Sequence, residues 1–184
     1  MERWQLEHLI RAASAIADDY ELVVIGSQAI LGSIPDAAPE LLVSMEADIY
    51  PLNRPERADL IDGSIGEGSP FEQEFGYYAQ GVSPETAVLP EGWQQRLVRV
   101  QNENTRSAIG YCIGLDDLAL SKYVANRPKD REFIRELLRQ RYVDPGKLLA
   151  MAPLLPVEPG RLAEIEAAIK GDHAVLVNDQ AITR

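Results

Sequence analysis

The sequence predicts an α+β fold, and three observations lead to that prediction. Segments with the alternation or the apolar density of β-strands occur before residue 115. Turns that contain Gly and Pro separate these segments from one another and from short helical patterns. From residue 115 onward the apolar residues recur at helical spacing. The chain therefore divides into a mixed half of about 110 residues and a helical half of about 70.

The first predicted elements are a helix, a strand and a glycine turn. Residues 2–18 place apolar side chains at roughly the helical period and predict an amphipathic helix. Residues 21–26 (ELVVIG) predict a short buried strand that ends at Gly26. Ser27 is then predicted to cap a short helix. A Gly-Ser turn also exposes backbone N–H groups that suit a phosphate, so capping and phosphate binding both remain open.

A second strand is predicted over residues 41–49, before Pro51 stops it. Its apolar residues alternate, which predicts one face packed on a core. The opposite face carries Glu46 and Asp48, whose Cα atoms would lie roughly 7 Å apart at about 3.3 Å per residue. Such carboxylates repel each other unless one pKa rises or a cation such as Mg²⁺ lies between them. A solvated strand face without metal is the alternative.

The remainder of the mixed half is predicted to add a helix, an irregular segment and a β-hairpin. Pro55 lies near the start of the helix, and Gly63 is expected to end it. Residues 69–90 should form a short helix followed by one or two strands. Residues 95–102 and 107–114 are predicted to pair as the hairpin.

The helical half contains four segments with helical patterns: 115–127, 128–142, 144–155 and 158–170. From Gly171 the chain shows no clear period. We therefore expect an α+β domain at residues 1–114, a helical subdomain packed on it at 115–170, and a tail at 171–184.

Charged residues gather at the boundary between the first two of these helices. Pro128 biases Arg127 away from helical geometry and predicts a break there. Lys122 precedes the break, and Lys129 and Asp130 follow it. The junction can direct three basic groups toward a neighbouring site, or it can be an ordinary charged helix surface with salt bridges.

The composition predicts a globular protein with an acidic surface. Hydrophobic residues make up 46% of the chain, so a core of normal size is expected. The net charge of −11 repels nucleic-acid backbones at long range. Cys112 is the single cysteine, which excludes an intramolecular disulfide, and we expect it to be a core side chain. Neither a signal peptide nor a membrane-length apolar run is recognisable, so we expect a cytoplasmic protein without a membrane partner.

Three motifs together resemble those of minimal bacterial nucleotidyltransferase-like proteins, particularly a group related to the abortive-infection toxins of toxin–antitoxin pairs. The motifs are GSQAIL (26–31), SMEADIYP (44–51) and DLALSKYVANRPKD (117–130), and the resemblance extends over residues 20–150. It implies a small mixed β-sheet flanked by helices and followed by a helical bundle. It also implies transfer of a nucleotidyl group from a nucleoside triphosphate to an unknown acceptor, protein or tRNA, with Mg²⁺ or Mn²⁺ as cofactor. A protein antitoxin is a further implied partner.

The resemblance assigns roles to matching positions of the first two motifs. Gly26 and Ser27 would hold the triphosphate, and Asp48 with Glu46 would hold the metal ion. The family's acidic strand usually reads Asp-x-Asp, with the first Asp at Asp48, so that the second falls on Tyr50. A phenol is a poor Mg²⁺ ligand at neutral pH. Either the acidic pair has shifted to Glu46 and Asp48, or the metal site has been lost.

The third motif supplies the remaining predicted site residues. By resemblance, Lys122 would contact a phosphate or the attacking group, and Asp130 would complete the catalytic motif. Arg127 and Lys129 would add contacts to the nucleotide. A third carboxylate, which many related transferases take from a later strand, is not supplied by residues 95–102.

Two other functions therefore stay open. The first is a catalytically degenerate protein of the same fold that uses its acidic surface to bind a basic partner. The second, less favoured by the net charge, is an RNA-binding protein that grips a tRNA end through four basic residues: Arg96, Arg99, Arg127 and Lys129.

Overall fold

The structure is a computed structural model that describes residues 1–182, and within them the chain forms two units. The first unit comprises Met1–Ala87 and Gln94–Gly114. The second comprises Val88–Trp93 and the chain from Leu115 onward. The predicted α+β class is confirmed, since strands and helices alternate in the first unit and helices follow.

In the described part of the chain, the first unit is built on a five-stranded mixed sheet. Its strands are β1 (Glu21–Ile25), β2 (Glu46–Pro51), β3 (Tyr78–Gly81), β4 (Val98–Val100) and β5 (Ile109–Cys112). Their order across the sheet is β3-β2-β1-β5-β4. β1 pairs antiparallel with β2 and parallel with β5, whereas β3 lies parallel to β2. β4 and β5 form the predicted antiparallel hairpin.

The helices of the first unit are α1 (Arg3–Ala17), α2 (Ile30–Ser33), α3 (Ala58–Ile65) and α4 (Pro70–Phe75). Those of the second unit are α5 (Leu115–Ala125), α6 (Pro128–Arg139), α7 (Pro145–Met151) and α8 (Pro159–Ile182). The helical pattern read from the second half is therefore confirmed at each of its four segments. Among residues 1–182, no helix combines the length and the apolar character needed to cross a bilayer.

One face of the sheet packs on helices and forms the core of the first unit. Gly110 on this face lies against Ile10 of α1, and Gly81 lies against the carbonyl of Ala58 in α3. The strand residues that are fully buried here include Leu22, Val24, Ala47, Ile49, Ala79 and Cys112. Because successive strand side chains alternate between faces, Glu46 and Asp48 of β2 lie on the opposite face.

Cys112 is part of this core, as predicted. Its side chain is fully buried and lies against Gly32 of α2, which leaves no room for a side chain at that glycine. Burial raises the pKa of the Cys112 thiol to about 12. The thiol is therefore protonated at neutral pH and fills space rather than reacting.

The prediction of a strand over residues 41–49 is wrong in its first half. A 3₁₀ turn occupies Pro39–Leu41, and β2 begins only after an irregular stretch. Val43 is 78% exposed and Met45 is 44% exposed, so the apolar alternation does not pack on a core there. The hydroxyl of Ser44 accepts the backbone N–H that opens β2, at 3.1 Å. This local bond holds the chain in a non-strand conformation just before the sheet.

Two predicted helix boundaries are also wrong. Ser27 is not a cap, because Gly26 precedes a 3₁₀ turn at Ser27–Ala29 and no side-chain hydrogen bond closes it. Gly63 does not end α3, which runs on until Gly66. A glycine within a helix costs only about 1 kcal/mol, which packing of the helix against the sheet outweighs.

The last helix is longer than its sequence pattern predicts, and one side chain just past Gly171 contacts two other helices. Asp172 accepts a hydrogen bond from Tyr123 Oη at 3.2 Å and another from Arg135 Nε at 3.3 Å. α8 continues past Gly171 to residue 182. The last two residues of the predicted tail, 171–184, lie outside the described residues.

Candidate functional site

The glycine turn and the acidic strand meet where β1 ends. Ile25, the last residue of β1, is the cross-strand partner of Asp48. Gly26 then adopts φ 68° and ψ −169°, a conformation that glycine tolerates and residues with a Cβ avoid. A Cβ on Gly26 would overlap Asp48 Oδ2 and would lie 3.0 Å from Asp48 Cγ. The carboxylate of Asp48 thus rests directly against the backbone of the turn.

The second carboxylate of the pair is held from the neighbouring strand. Glu46 and Asp48 share one face of β2, and their cross-strand partners in β3 are Tyr78 and Gln80. The Oη of Tyr78 donates a hydrogen bond to Glu46 Oε2 at 3.1 Å. Burial, followed by the charge of Glu46, raises the pKa of Tyr78 to about 12. The phenol is therefore protonated at neutral pH and can act as the donor.

Tyr50 is the third residue on this face of β2, and it is not suited to bind a metal ion. Its side chain is 4% exposed. Burial, with a smaller contribution from the charge of Glu85, raises the pKa of Tyr50 to about 12. A buried neutral phenol does not replace the second aspartate of an Asp-x-Asp pair. The acidic pair available on this strand is Glu46 and Asp48.

The two carboxylates suit a metal ion that binds together with a phosphate ligand rather than one that protein side chains hold alone. Among the described residues, no three His, Cys, Asp or Glu side chains are grouped so that they could hold a metal. Mg²⁺, however, is commonly bound through one or two carboxylates, with substrate phosphates and water completing its octahedron. Glu46 and Asp48, on adjacent same-face positions of β2, match that requirement.

Ser27 and Gln28 line the same turn but differ in their surroundings. Ser27 is half-buried and engaged in an interaction. Gln28 is fully buried, and its Oε1 and Nε2 have no hydrogen-bond partner among the described residues. A buried amide without hydrogen-bond partners costs free energy, so the Gln28 side chain lowers the stability of the free protein.

Three of the predicted residues of the third motif, Lys122, Arg127 and Asp130, form an ion-pair network in the second unit. Lys122 Nζ lies 3.1 Å from Asp130 Oδ1. Arg127 donates its Nε to Asp130 Oδ2 at 2.6 Å and its backbone N–H to the same oxygen at 3.2 Å. Lys122 also lies 4.4 Å from the ring centroid of Phe133. The network joins the end of α5 to the start of α6, on either side of the break that Pro128 predicts.

The charges around Asp130 keep it an anion at neutral pH. Its side chain is fully buried, and Lys122 is 6% exposed. Burial alone would raise the pKa of Asp130, but the hydrogen bonds from Arg127 and the charge of Lys122 outweigh it and hold the pKa below its usual value. Arg127 and Lys129 are exposed at the start of α6. Their nucleotide contacts stay predictions.

The structure thus gathers the predicted site residues into two groups. Gly26, Ser27, Glu46 and Asp48 lie together in the first unit, and the four predicted site residues of the third motif lie in the second. Sequence reasoning missed Tyr78 as a partner of Glu46, because the two residues are 32 positions apart and the parallel pairing of β3 with β2 leaves no local pattern.

Comparison with known protein families gives a match over most of the chain. Residues 4–153 match the model of a family described as a nucleotidyltransferase of unknown function (DUF6036). That range contains the Gly26 turn, the two acids of β2 and the junction between α5 and α6. No curated protein and no solved structure matches the chain. Since the matched range is most of the chain, the protein belongs to this family of nucleotidyltransferases, whose activity implies a nucleotide substrate.

Proposed function

We propose that the protein is a Mg²⁺-dependent nucleotidyltransferase that moves a nucleotidyl group from a nucleoside triphosphate to an acceptor. The observation that supports this most directly is the approach of the Asp48 carboxylate to the Gly26 turn. A metal ligand and a phosphate-binding backbone belong side by side in such a site, because the ion and the triphosphate bind together. Mn²⁺ would be expected to substitute for Mg²⁺.

In this proposal, the first unit holds the triphosphate and its ion. Glu46 and Asp48 would bind the ion, and the backbone of Gly26 and Ser27 would lie against the phosphates. The ion, when bound, supplies positive charge that offsets the charge on the phosphate oxygens during transfer. An acceptor oxygen forms a bond to the α-phosphorus, pyrophosphate leaves with the bridging oxygen, and water takes up the acceptor's proton.

The charged residues of the second unit keep, as proposals, the roles that the resemblance implies. Lys122 keeps its predicted role as a contact to phosphate or to the attacking group. Asp130 is fully buried and engaged by both Lys122 and Arg127, so we assign it to positioning Lys122 rather than to touching substrate. Arg127 and Lys129, exposed beside it, would add nucleotide contacts.

The acceptor is proposed to be a protein rather than tRNA. The net charge of −11 repels a polyanionic acceptor, and the basic groups available to offset it are few. The resemblance to abortive-infection transferases supports a role as the toxin of a bacterial toxin–antitoxin pair. A protein antitoxin would then be the natural partner.

Isothermal titration with each nucleoside triphosphate, in the presence and absence of Mg²⁺, tests this function. We expect Mg²⁺-dependent binding to the wild type and its loss in the double variant Glu46→Gln, Asp48→Asn. Glu103→Gln, which removes an exposed acid from a turn, is the matched control and should bind normally. Failure of the wild type to bind any triphosphate with Mg²⁺ rules the function out.

A second candidate function is a binding module of the same fold without catalysis. The observation that favours it is Tyr50, a buried and neutral side chain where the family usually has its second aspartate. Without a metal ion, Glu46 and Asp48 only repel each other. The double variant Glu46→Ala, Asp48→Ala would then be more stable to heat, and added Mg²⁺ would not change the melting temperature of the wild type.

A further inference from the structure

Tyr78 makes one side-chain contact that bears on the proposed metal site. It is the first residue of β3, at the edge of the sheet, and its Cα is directly opposite that of Glu46. Both side chains are half-buried. The phenol hydroxyl donates to Glu46 Oε2 at 3.1 Å. The hydrogen bond therefore joins a carboxylate of the site to a strand that carries no carboxylate of its own.

The hydrogen bond restricts a side chain that would otherwise be poorly fixed. Glu46 opens β2, and a glutamate has three rotatable side-chain bonds. Asp48, with a shorter side chain, is already confined by the Gly26 turn. The Tyr78 hydroxyl, at a fixed cross-strand position, binds one carboxylate oxygen of Glu46. The other oxygen is then directed away from Tyr78. Outer partners of this kind commonly orient carboxylate ligands.

We propose that Tyr78 is a positioning residue, whose hydroxyl holds the Glu46 carboxylate in the orientation that receives the divalent ion of a metal–nucleotide complex. This inference rests on the proposed function. Removal of an outer partner of a metal ligand typically costs 10- to 100-fold in metal affinity. Tyr78→Phe should therefore lower the affinity for the divalent ion while leaving the strand and its packing in place.

The sheet offers a matched control. Tyr111 of β5 donates to Glu21 Oε1 at 3.0 Å, so Tyr111→Phe removes an equivalent bond between a phenol and a carboxylate. Glu21 begins β1, at the end of the strand that is remote from Gly26. A general loss of sheet stability would affect both variants, whereas loss of positioning would affect only Tyr78→Phe.

The experiment measures Mn²⁺ affinity by electron paramagnetic resonance in the presence of a non-hydrolysable triphosphate analogue. We expect Tyr78→Phe to raise the Mn²⁺ dissociation constant about 10-fold or more, and Tyr111→Phe to change it less than about twofold. In a Glu46→Gln background, Tyr78→Phe should have no further effect. Equal Mn²⁺ affinities for the wild type and Tyr78→Phe, or equal losses of affinity in both phenylalanine variants, overturn this inference. Either result leaves the proposed function standing. A wild type that binds no Mn²⁺ overturns the proposed function and this inference together.

Discussion

Gly26 and Asp48 are so close that the backbone of the first leaves no space for a side chain beside the carboxylate of the second. This contact joins the end of β1 to the acidic face of β2. It confines the shorter of the two acids before any ligand arrives.

Gly26→Ala should lower the free energy of unfolding by more than the cost of placing alanine at a positive φ. The new methyl group meets Asp48 and also forces alanine to a φ near 68°. Gly68→Ala is the matched control, because Gly68 has φ 75° and open space around it. Strain from φ alone is of order 1–3 kcal/mol. Urea unfolding of both variants should show a larger loss for Gly26→Ala, and equal losses would show that Asp48 yields without cost.

Asp130→Ala should be among the most damaging single substitutions in the second unit. It leaves Lys122 buried without Asp130 and removes three hydrogen bonds from Arg127. Breaking a buried ion pair from one side typically costs about 3–5 kcal/mol. Lys122→Met should cost less, because Asp130 keeps its bonds from Arg127. Chemical denaturation measures the loss of unfolding free energy in each variant. A smaller loss for Asp130→Ala than for Lys122→Met would contradict this prediction.

Asp130 should also make the stability of the protein depend on pH in acid. Its pKa is lower in the folded chain than in the unfolded chain, so the unfolded chain binds the proton more readily. The stabilisation is fully present above the unfolded value of about 3.9 and is lost as pH falls through the folded value. The difference in unfolding free energy between the wild type and Asp130→Ala should therefore shrink between about pH 6 and about pH 3. A constant difference over that range would show that Asp130 is not the group responsible.

Gln28→Leu should raise the free energy of unfolding. The wild-type amide is fully buried, and among the described residues neither its donor nor its acceptor has a partner. An apolar side chain of similar size removes that penalty, which is about 1–3 kcal/mol for an unsatisfied group. Gln95→Leu, at an exposed position, should change stability by less than about 0.5 kcal/mol. A marked loss in Gln28→Leu would mean that the amide is satisfied in solution.

The sequence predicts those parts of the fold whose signals are local. β1 is an apolar run after Glu21, the hairpin of β4 and β5 is connected by a polar segment, and Pro128 marks the break between α5 and α6. The apolar alternation around Val43 and Met45 misled the prediction, because alternation describes a strand only where a neighbour pairs with it. Side-chain bonds of Ser44 and a preceding 3₁₀ turn decide that stretch instead.

The site is predictable to the extent that its residues lie within motifs. Gly26 and Asp48 belong to such motifs, and the antiparallel pairing of β1 with β2 brings them together. Tyr78 is not predictable in this way, because its bond to Glu46 depends on the parallel register of two strands separated by α3 and α4. The sequence predicts Asp130 as a catalytic residue, and only its burial and the four hydrogen bonds that it accepts suggest a positioning role.

The most direct test of the central claim is a crystal structure with Mn²⁺ and a non-hydrolysable triphosphate analogue, phased so that anomalous scattering locates the metal. The account predicts a manganese peak bound to carboxylate oxygens of both Glu46 and Asp48 and to phosphate oxygens, with the phosphates against Gly26. A well-ordered nucleotide with manganese bound elsewhere, or with neither acid among its ligands, would contradict it.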